Sequence, residues 1–207
     1  KVVMEGVAML SNDAVENLFK KHNGIMRTHE LLDAHIYYKD IQQLIQQGLI
    51  EKVRYGYYQW ASTITLSEVT TVARLFPDAV LCMDTALFHY RYSDRTPLTW
   101  HLAVSKDSNK SRFKLDYPFV KAYFVEPSIL QLGVVDATID GYPVHMYDKE
   151  RTICDCLRYQ GKMDAETFSK AIRYYVVDPQ KNILQLMAYG KKLRVTKKIK
   201  TYIGVWL

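Results

Sequence analysis

One predicted helix carries a stripe of side chains that can hydrogen-bond to nucleic-acid bases. Apolar residues recur at helical spacing over residues 37–47, which predicts one buried face. That face consists of Tyr37, Ile41, Leu44 and Ile45. The opposite face consists of Lys39, Gln42, Gln43 and Gln46. A glutamine amide matches the N6/N7 edge of adenine, and lysine bonds to guanine or phosphate. The stripe therefore indicates base recognition, although an ordinary solvated helix face can have the same composition.

The neighbouring segments predict the elements that would position this helix. Helices are predicted over 12–22 and 29–35, before the helix over 37–47. Strands are predicted over 49–53 and 57–60, joined by a turn at Arg54-Tyr55-Gly56. This order is typical of a winged helix-turn-helix. In that fold the third helix enters the major groove, and the hairpin, or wing, lies along the backbone or minor groove.

We therefore predict that residues 1–62 form a winged helix-turn-helix DNA-binding domain. The start of its third helix is the end that usually meets the bases, and it carries Tyr37 and Tyr38 beside Lys39. Phosphate contacts are assigned to Arg27, Thr28, Lys52, Arg54 and Tyr55. Seven basic and seven acidic residues leave this domain without net charge, so DNA binding depends on local charge placement. Docking of a protein partner remains an open alternative.

Residues 63–207 predict a mixed α/β domain, so the fold class is α/β (α+β), ending in a helical segment. The pattern predicts a helix over 67–76, strands over 99–104 and 119–125, and a hairpin around Asp140-Gly141. Helices are predicted over about 148–160, 164–175, 179–190 and 194–205.

Positive charge is concentrated near the end of the chain. The net charge is +6, and residues 63–207 carry all of this excess. Residues 190–200 contain six cations and no acid, which predicts a second basic surface for a polyanion. Its members are Lys191, Lys192, Arg194, Lys197, Lys198 and Lys200. A solvated helix face is the alternative interpretation.

No catalytic motif or metal-ligand spacing is present, so we predict a non-enzyme without cofactor or metal. The chain lacks a phosphate-binding glycine loop and a nucleophile elbow. An unrecognised nucleic-acid enzyme remains an alternative, to be tested at Asp78, Asp84 and Asp155. Three cysteines are too few for a disulfide framework, and no apolar run is long enough to span a membrane. These features favour a cytoplasmic protein without membrane contact.

Three segments together resemble a known family. They are GLIEKVRYGYYQW at 48–60, ALFHYR at 86–91 and YPVHMYDKERTICDCLRY at 142–159. Over about residues 10–205 the chain resembles the AbiEi family, the antitoxins of bacterial type IV toxin–antitoxin systems. The most specific part of this resemblance is to the family's E-R-T-x-x-D signature. Glu150, Arg151 and Asp155 match that signature in this chain.

The resemblance implies functions that composition cannot show. It implies an autorepressor that binds double-stranded DNA at inverted repeats in its own promoter. It also implies an antitoxin, acting through the C-terminal domain, that counteracts a nucleotidyltransferase-like toxin without requiring a stable complex. The biological setting would be abortive infection, a form of phage defence. From the residues themselves, Arg151 and Asp155 can form an i, i+4 ion pair, which favours a role in the fold.

Overall fold

The structure is a computed structural model that describes residues 11–61 and 66–204. Contacts divide the chain into two compact units, Lys1–Leu75 and Phe76–Leu207. The predicted division between residues 62 and 63 falls outside the described residues, as does the predicted helix end at 205. The division by contacts lies later, after the helix Glu68–Leu75.

The described residues of the N-terminal unit form four helices and three strands. The elements are α1 (Asn12–Lys21), β1 (Ile25–Arg27), α2 (Thr28–Asp33), α3 (Tyr38–Gln46), β2 (Ile50–Arg54), β3 (Tyr57–Trp60) and α4 (Glu68–Leu75). Strand β3 lies between β1 and β2 and is antiparallel to both. The predicted helices and strands are confirmed, with ends shifted by up to two residues. In addition, residues 25–27 form strand β1.

One apolar face from each of three helices builds the core of this unit. Phe19 of α1, Leu31 of α2 and Ile41 of α3 have no exposed surface. They pack in one cluster with Leu44 and Ile50. Because the apolar residues of α3 point into this cluster, its opposite, polar face is directed outward.

An ion pair with little exposure fixes the start of α2. Glu30 accepts hydrogen bonds from the Arg27 backbone N–H at 2.7 Å and from the Arg74 guanidinium at 2.8 Å. Arg74 also donates to the carbonyl oxygen of Ile25 at 2.8 Å, which joins α4 to β1. Burial acts to raise the pKa of Glu30. The hydrogen bonds and the Arg74 charge outweigh this effect and hold the pKa below its usual 4.5.

We expect Glu30→Gln to remove a stabilisation that depends on pH. A carboxyl group with a lowered folded-state pKa stabilises the fold above its unfolded pKa, here 4.5, and less as the pH falls through the folded value. Wild-type protein should therefore melt at a higher temperature than the variant at pH 7. This difference should shrink as the pH falls below about 4.5. Glu16→Gln is the control, because Glu16 pairs with the exposed Lys20. A difference that is undiminished at pH 3 would contradict the assignment.

The described residues of the C-terminal unit combine a five-stranded sheet with six α-helices. The elements are β4 (Val80–Leu81), α5 (Met83–His89), β5 (Trp100–Ser105), β6 (Val120–Val125), α6 (Pro127–Leu130), β7 (Val134–Ile139), β8 (Tyr142–Tyr147), α7 (Lys149–Tyr159), α8 (Ala165–Val177), α9 (Ile183–Lys192) and α10 (Thr196–Tyr202). Short 3-10 helices span Lys110–Phe113 and Gln160–Lys162. The sheet order is β6-β5-β4-β8-β7, and the pairs β5–β6 and β4–β8 are parallel. The predicted mixed α/β class with a helical end is confirmed.

Helix α7 is the most buried helix among the described residues of the C-terminal unit. All residues from 150 to 157 are buried, and its apolar side chains pack with α5, α8, α9 and α10. Two glycines allow close approaches in this unit. Gly133 has a φ of +78°, and a Cβ on it would lie 2.6 Å from Cβ of Arg151. A Cβ on Gly190 would clash with Ile199, so glycine there lets α10 contact α9.

Candidate nucleic-acid interface

Helix α3 presents the predicted base-reading side chains on one outward face. Tyr38 is 64% exposed, Lys39, Gln42 and Gln46 are also exposed, and Gln43 is half-buried. Within the described part of the chain, these five side chains make no hydrogen bond or ion pair. Their donors and acceptors are therefore available to a ligand.

Tyr37 does not belong to the buried stripe in which the sequence pattern placed it. It is the N-cap of α3 and is 52% exposed, because it precedes the helix and so leaves the helical period. Its backbone N–H donates to the Asp40 carboxylate at 2.9 Å. Asp40 also places an acid in the first turn of α3, where it suits the helix dipole but offsets the charge of Lys39. Tyr37 and Tyr38 are therefore two exposed phenols at the end of the helix assigned to the bases.

The hairpin of β2 and β3 brings predicted phosphate-binding residues together around Tyr57. The guanidinium carbons of Arg54 and Arg27 lie 4.0 and 5.6 Å from the centre of the Tyr57 ring. The N–H of Thr28 donates to the carbonyl oxygen of Gly56 at 2.9 Å, which brings the start of α2 to the turn. Sequence reasoning had not assigned Tyr57 to the site. The signal for it was the run of tyrosines in the predicted hairpin.

Arg54 is partly used by the fold, whereas the turn between β2 and β3 is open to solvent. One Arg54 Nη donates to the carbonyl oxygen of Leu75 at 2.6 Å and so joins the hairpin to α4. Tyr55 at the tip is 90% exposed, and Nζ of Lys52 lies 5.5 Å from the centre of its ring. Gly56 closes the turn with a φ of +76°, a conformation that glycine adopts without strain. Among the residues assigned to phosphate contacts on this hairpin, Lys52 and Tyr55 are therefore the most accessible.

The predicted second basic surface contains five exposed cations and one that the fold uses. Within the described residues, the exposed members make no ion pair; they are Lys191, Lys192, Arg194, Lys197 and Lys200. Lys198 instead donates from Nζ to the carbonyl oxygen of Leu157 at 2.6 Å. The last carbonyls of a helix lack partners within the helix, and a lysine both satisfies one of them and suits the helix dipole. Lys198 therefore holds α10 against the end of α7.

The residues of the E-R-T-x-x-D segment lie inside the C-terminal unit. The Arg151 side chain is fully buried, and its Nε donates to Asp155 at 3.0 Å, which confirms the predicted i, i+4 pair. One Nη donates to the carbonyl oxygens of Ile129 and Leu132 at 2.7 and 2.8 Å. The guanidinium carbon lies 4.1 Å from the centre of the Tyr147 ring. Arg151 therefore joins α7 to the segment between β6 and β7.

Glu150 extends this internal network towards α8 and α9. It is buried, and it accepts hydrogen bonds from the N–H of Asn182 at 2.8 Å and from the hydroxyl of Tyr175 at 3.3 Å. Asp148 caps the start of α7 by accepting from the N–H of Arg151 at 2.7 Å. The residues of the family-like signature therefore form contacts between elements of the fold.

The three aspartates considered as possible residues of an enzyme each contact a different basic residue. Each of the three aspartates has a basic neighbour: Asp78 with Arg112, Asp84 with His101 and Asp155 with Arg151. The three cysteines are buried free thiols, and burial raises the pKa of each; they are Cys82, Cys154 and Cys156. In the described ranges, no three His, Cys, Asp or Glu side chains are grouped so that they could hold a metal ion. None of the helices in these ranges has the length and apolar character needed to cross a membrane.

No family model matches the chain, and no curated protein matches its sequence. The features that indicate a function are therefore the available side chains of α3, of the hairpin of β2 and β3, and of the basic surface.

Proposed function

We propose that this protein is a DNA-binding transcriptional autorepressor whose N-terminal unit acts as a winged helix-turn-helix. The observation that carries the proposal is the outward face of α3, where Tyr38, Lys39, Gln42 and Gln46 have no partner within the described residues. Exposed amides beside a lysine suit the donor and acceptor pattern of base edges in the major groove. The element order, with β3 central in a small antiparallel sheet, supports the same assignment.

The wing supplies local positive charge that the neutral composition of the unit conceals. Arg27 and Arg54 share the Tyr57 ring, and Lys52 stands beside the exposed Tyr55. The neighbouring acid, Glu51, precedes Lys52 by one residue and so points to the opposite face of β2. In the proposed complex, α3 enters the major groove while Lys52 and Tyr55 contact the backbone or minor groove.

The antitoxin role is the second part of the proposal, and the resemblance to the AbiEi family supports it. In this proposal the protein represses its own promoter at inverted repeats, in the bacterial cytoplasm. Its C-terminal unit counteracts a nucleotidyltransferase-like toxin without catalysis and without requiring a stable complex. Because the family-like signature is buried, the antitoxic residues are expected on the surface of this unit, where the five exposed cations are candidates.

A gel-shift titration tests the repressor proposal. Purified protein is titrated against the DNA upstream of its own gene and against a scrambled duplex, at several salt concentrations. We expect affinities that differ by about 10³ or more in favour of the upstream DNA. Equal, salt-sensitive binding to both duplexes would contradict site recognition. Rescue of growth during expression of the neighbouring toxin gene tests the antitoxin role separately.

We expect the basic surface to contribute to DNA affinity through its exposed lysines. Lys197→Ala with Lys200→Ala should weaken binding and reduce the slope of log affinity against log salt by up to about 0.9 for each lost phosphate contact. Lys198 is kept, because its contact with Leu157 belongs to the fold. Lys162→Ala is the matched control, an exposed lysine of the same unit. An unchanged slope in the double variant would exclude this surface from DNA binding.

A further inference from the structure

The edge of the C-terminal sheet carries a surface whose composition differs from that of α3. We define the β6-edge patch as Lys114, Tyr117, Phe119 and Lys121. Strand β6 is last in the sheet order, and among the described residues only β5 pairs with it. Tyr117 and Phe119, just before this strand, are 58% and 57% exposed. Adjacent aromatic side chains with more than half of their surface in solvent are typical of an interaction site.

The two aromatic rings of the patch are neighbours, and Lys121 follows them along the same edge. The rings of Tyr117 and Phe119 are 6.1 Å apart between centroids and stand at 81° to each other. Lys121 follows Phe119 by two residues along an extended chain, so the two side chains lie on the same face. Nζ of Lys121 lies 5.4 Å from the ring centroid of Tyr123, the next residue on that face. Aromatic and cationic side chains therefore alternate along this edge.

The charges around the patch favour a polyanionic partner. Residues 106–121 contain five cations and two acids, and the pairing of two of these cations with acids outside the segment leaves three cations and two acids. Lys106 and Arg112 are occupied by Glu126 and Asp78. Lys114 and Lys121 have no ion pair within the described residues and are exposed. A second copy of this chain docked edge to edge would bring the same cations together, which argues against self-association through this surface.

We propose that the β6-edge patch binds single-stranded nucleic acid. Unpaired bases stack on Tyr117 and Phe119, while Lys114 and Lys121 contact the phosphates on either side. Every base has an aromatic face, so this binding tolerates different sequences. Bases in a duplex are stacked on each other and do not reach the rings. RNA and DNA single strands share this chemistry. The inference is independent of duplex recognition by α3.

The test measures binding of the full chain to fluorescein-labelled oligo(U) and oligo(dT) of about 12 nucleotides, within the site sizes of single-strand binding folds. Tyr117→Ala with Phe119→Ala should raise the Kd for the single strands at least 10-fold, since each stacked base is worth about 5- to 150-fold. Binding of a generic duplex should change less than twofold. Leu184→Ala, which removes an 86% exposed apolar side chain of the same unit, is the control and should bind normally. Preference for oligo(U) over oligo(dT) would assign the site to RNA, and the reverse preference to DNA.

Two further variants keep the proposal open to refutation if the double alanine variant folds poorly. Phe119→Trp should retain affinity and show quenched fluorescence when a base stacks on it. Lys114→Ala with Lys121→Ala should lower the salt slope by about 0.7 for each lost contact. Unchanged single-strand affinity in a folded double alanine variant, or an equal loss for the duplex, would overturn the proposal. A variant that changes only the oligomeric state would also overturn it, by assigning the patch to self-association.

Discussion

Replacing Arg151 by alanine should lower the free energy of unfolding of the C-terminal unit by about 3–5 kcal/mol. The variant leaves the Asp155 carboxylate buried without its cation. It also leaves the carbonyl oxygens of Ile129 and Leu132 without the donor they share. Each of these losses carries a desolvation cost that water cannot relieve in a closed interior. Urea unfolding followed by circular dichroism measures the change.

Two companion variants distinguish this buried network from a general effect of charge. Arg158→Ala removes an exposed arginine of the same helix and should cost about 0.5 kcal/mol or less. Arg151→Lys keeps the positive charge but loses the planar fork that reaches three acceptors at once, so it should recover little stability. A loss below about 1 kcal/mol for Arg151→Ala would contradict a structural role for this buried network.

Replacing Gln42 by alanine should weaken binding to the upstream DNA by about 5- to 150-fold, the worth of one amide–adenine pair. Binding to a scrambled duplex should remain within about twofold, because phosphate contacts alone support it. The fold should be unaffected, since the Gln42 side chain is exposed and has no partner in the described part of the unit. Paired gel-shift titrations with both duplexes measure the two affinities.

Gln47→Ala is the matched control for Gln42→Ala. Gln47 is an exposed glutamine at the C-cap of α3, away from the helix start assigned to the bases. Its replacement should leave specific binding unchanged, and both variants should melt at the wild-type temperature. A larger effect at Gln47, or equal losses on both duplexes for Gln42→Ala, would contradict the placement of α3 in the major groove.

Local spacing was sufficient to predict the features that depend on neighbours in the chain. The period of Ile41 and Leu44 requires that Gln42 and Gln46 lie on the outward side of α3, and they do. Asp140-Gly141 predicted the hairpin of β7 and β8, because both residues accept the positive φ of its turn. Arg151 and Asp155, four residues apart on one helix, were predicted to pair, and the pair is present.

Only the tertiary structure shows which of these side chains contact residues far away in the sequence. Lys198 has the same chemistry as the exposed Lys197, yet it bonds to Leu157, 41 residues earlier. Arg54 was expected only at phosphates and also bonds to Leu75. Arg74 reaches Ile25 and Glu30 from α4, so this helix belongs to the N-terminal unit, although the sequence predicted a boundary between residues 62 and 63. Helical period tells which side of a helix a residue occupies. Whether that side meets water or another element depends on packing between residues far apart in the sequence, and the local spacing of residues does not predict such packing.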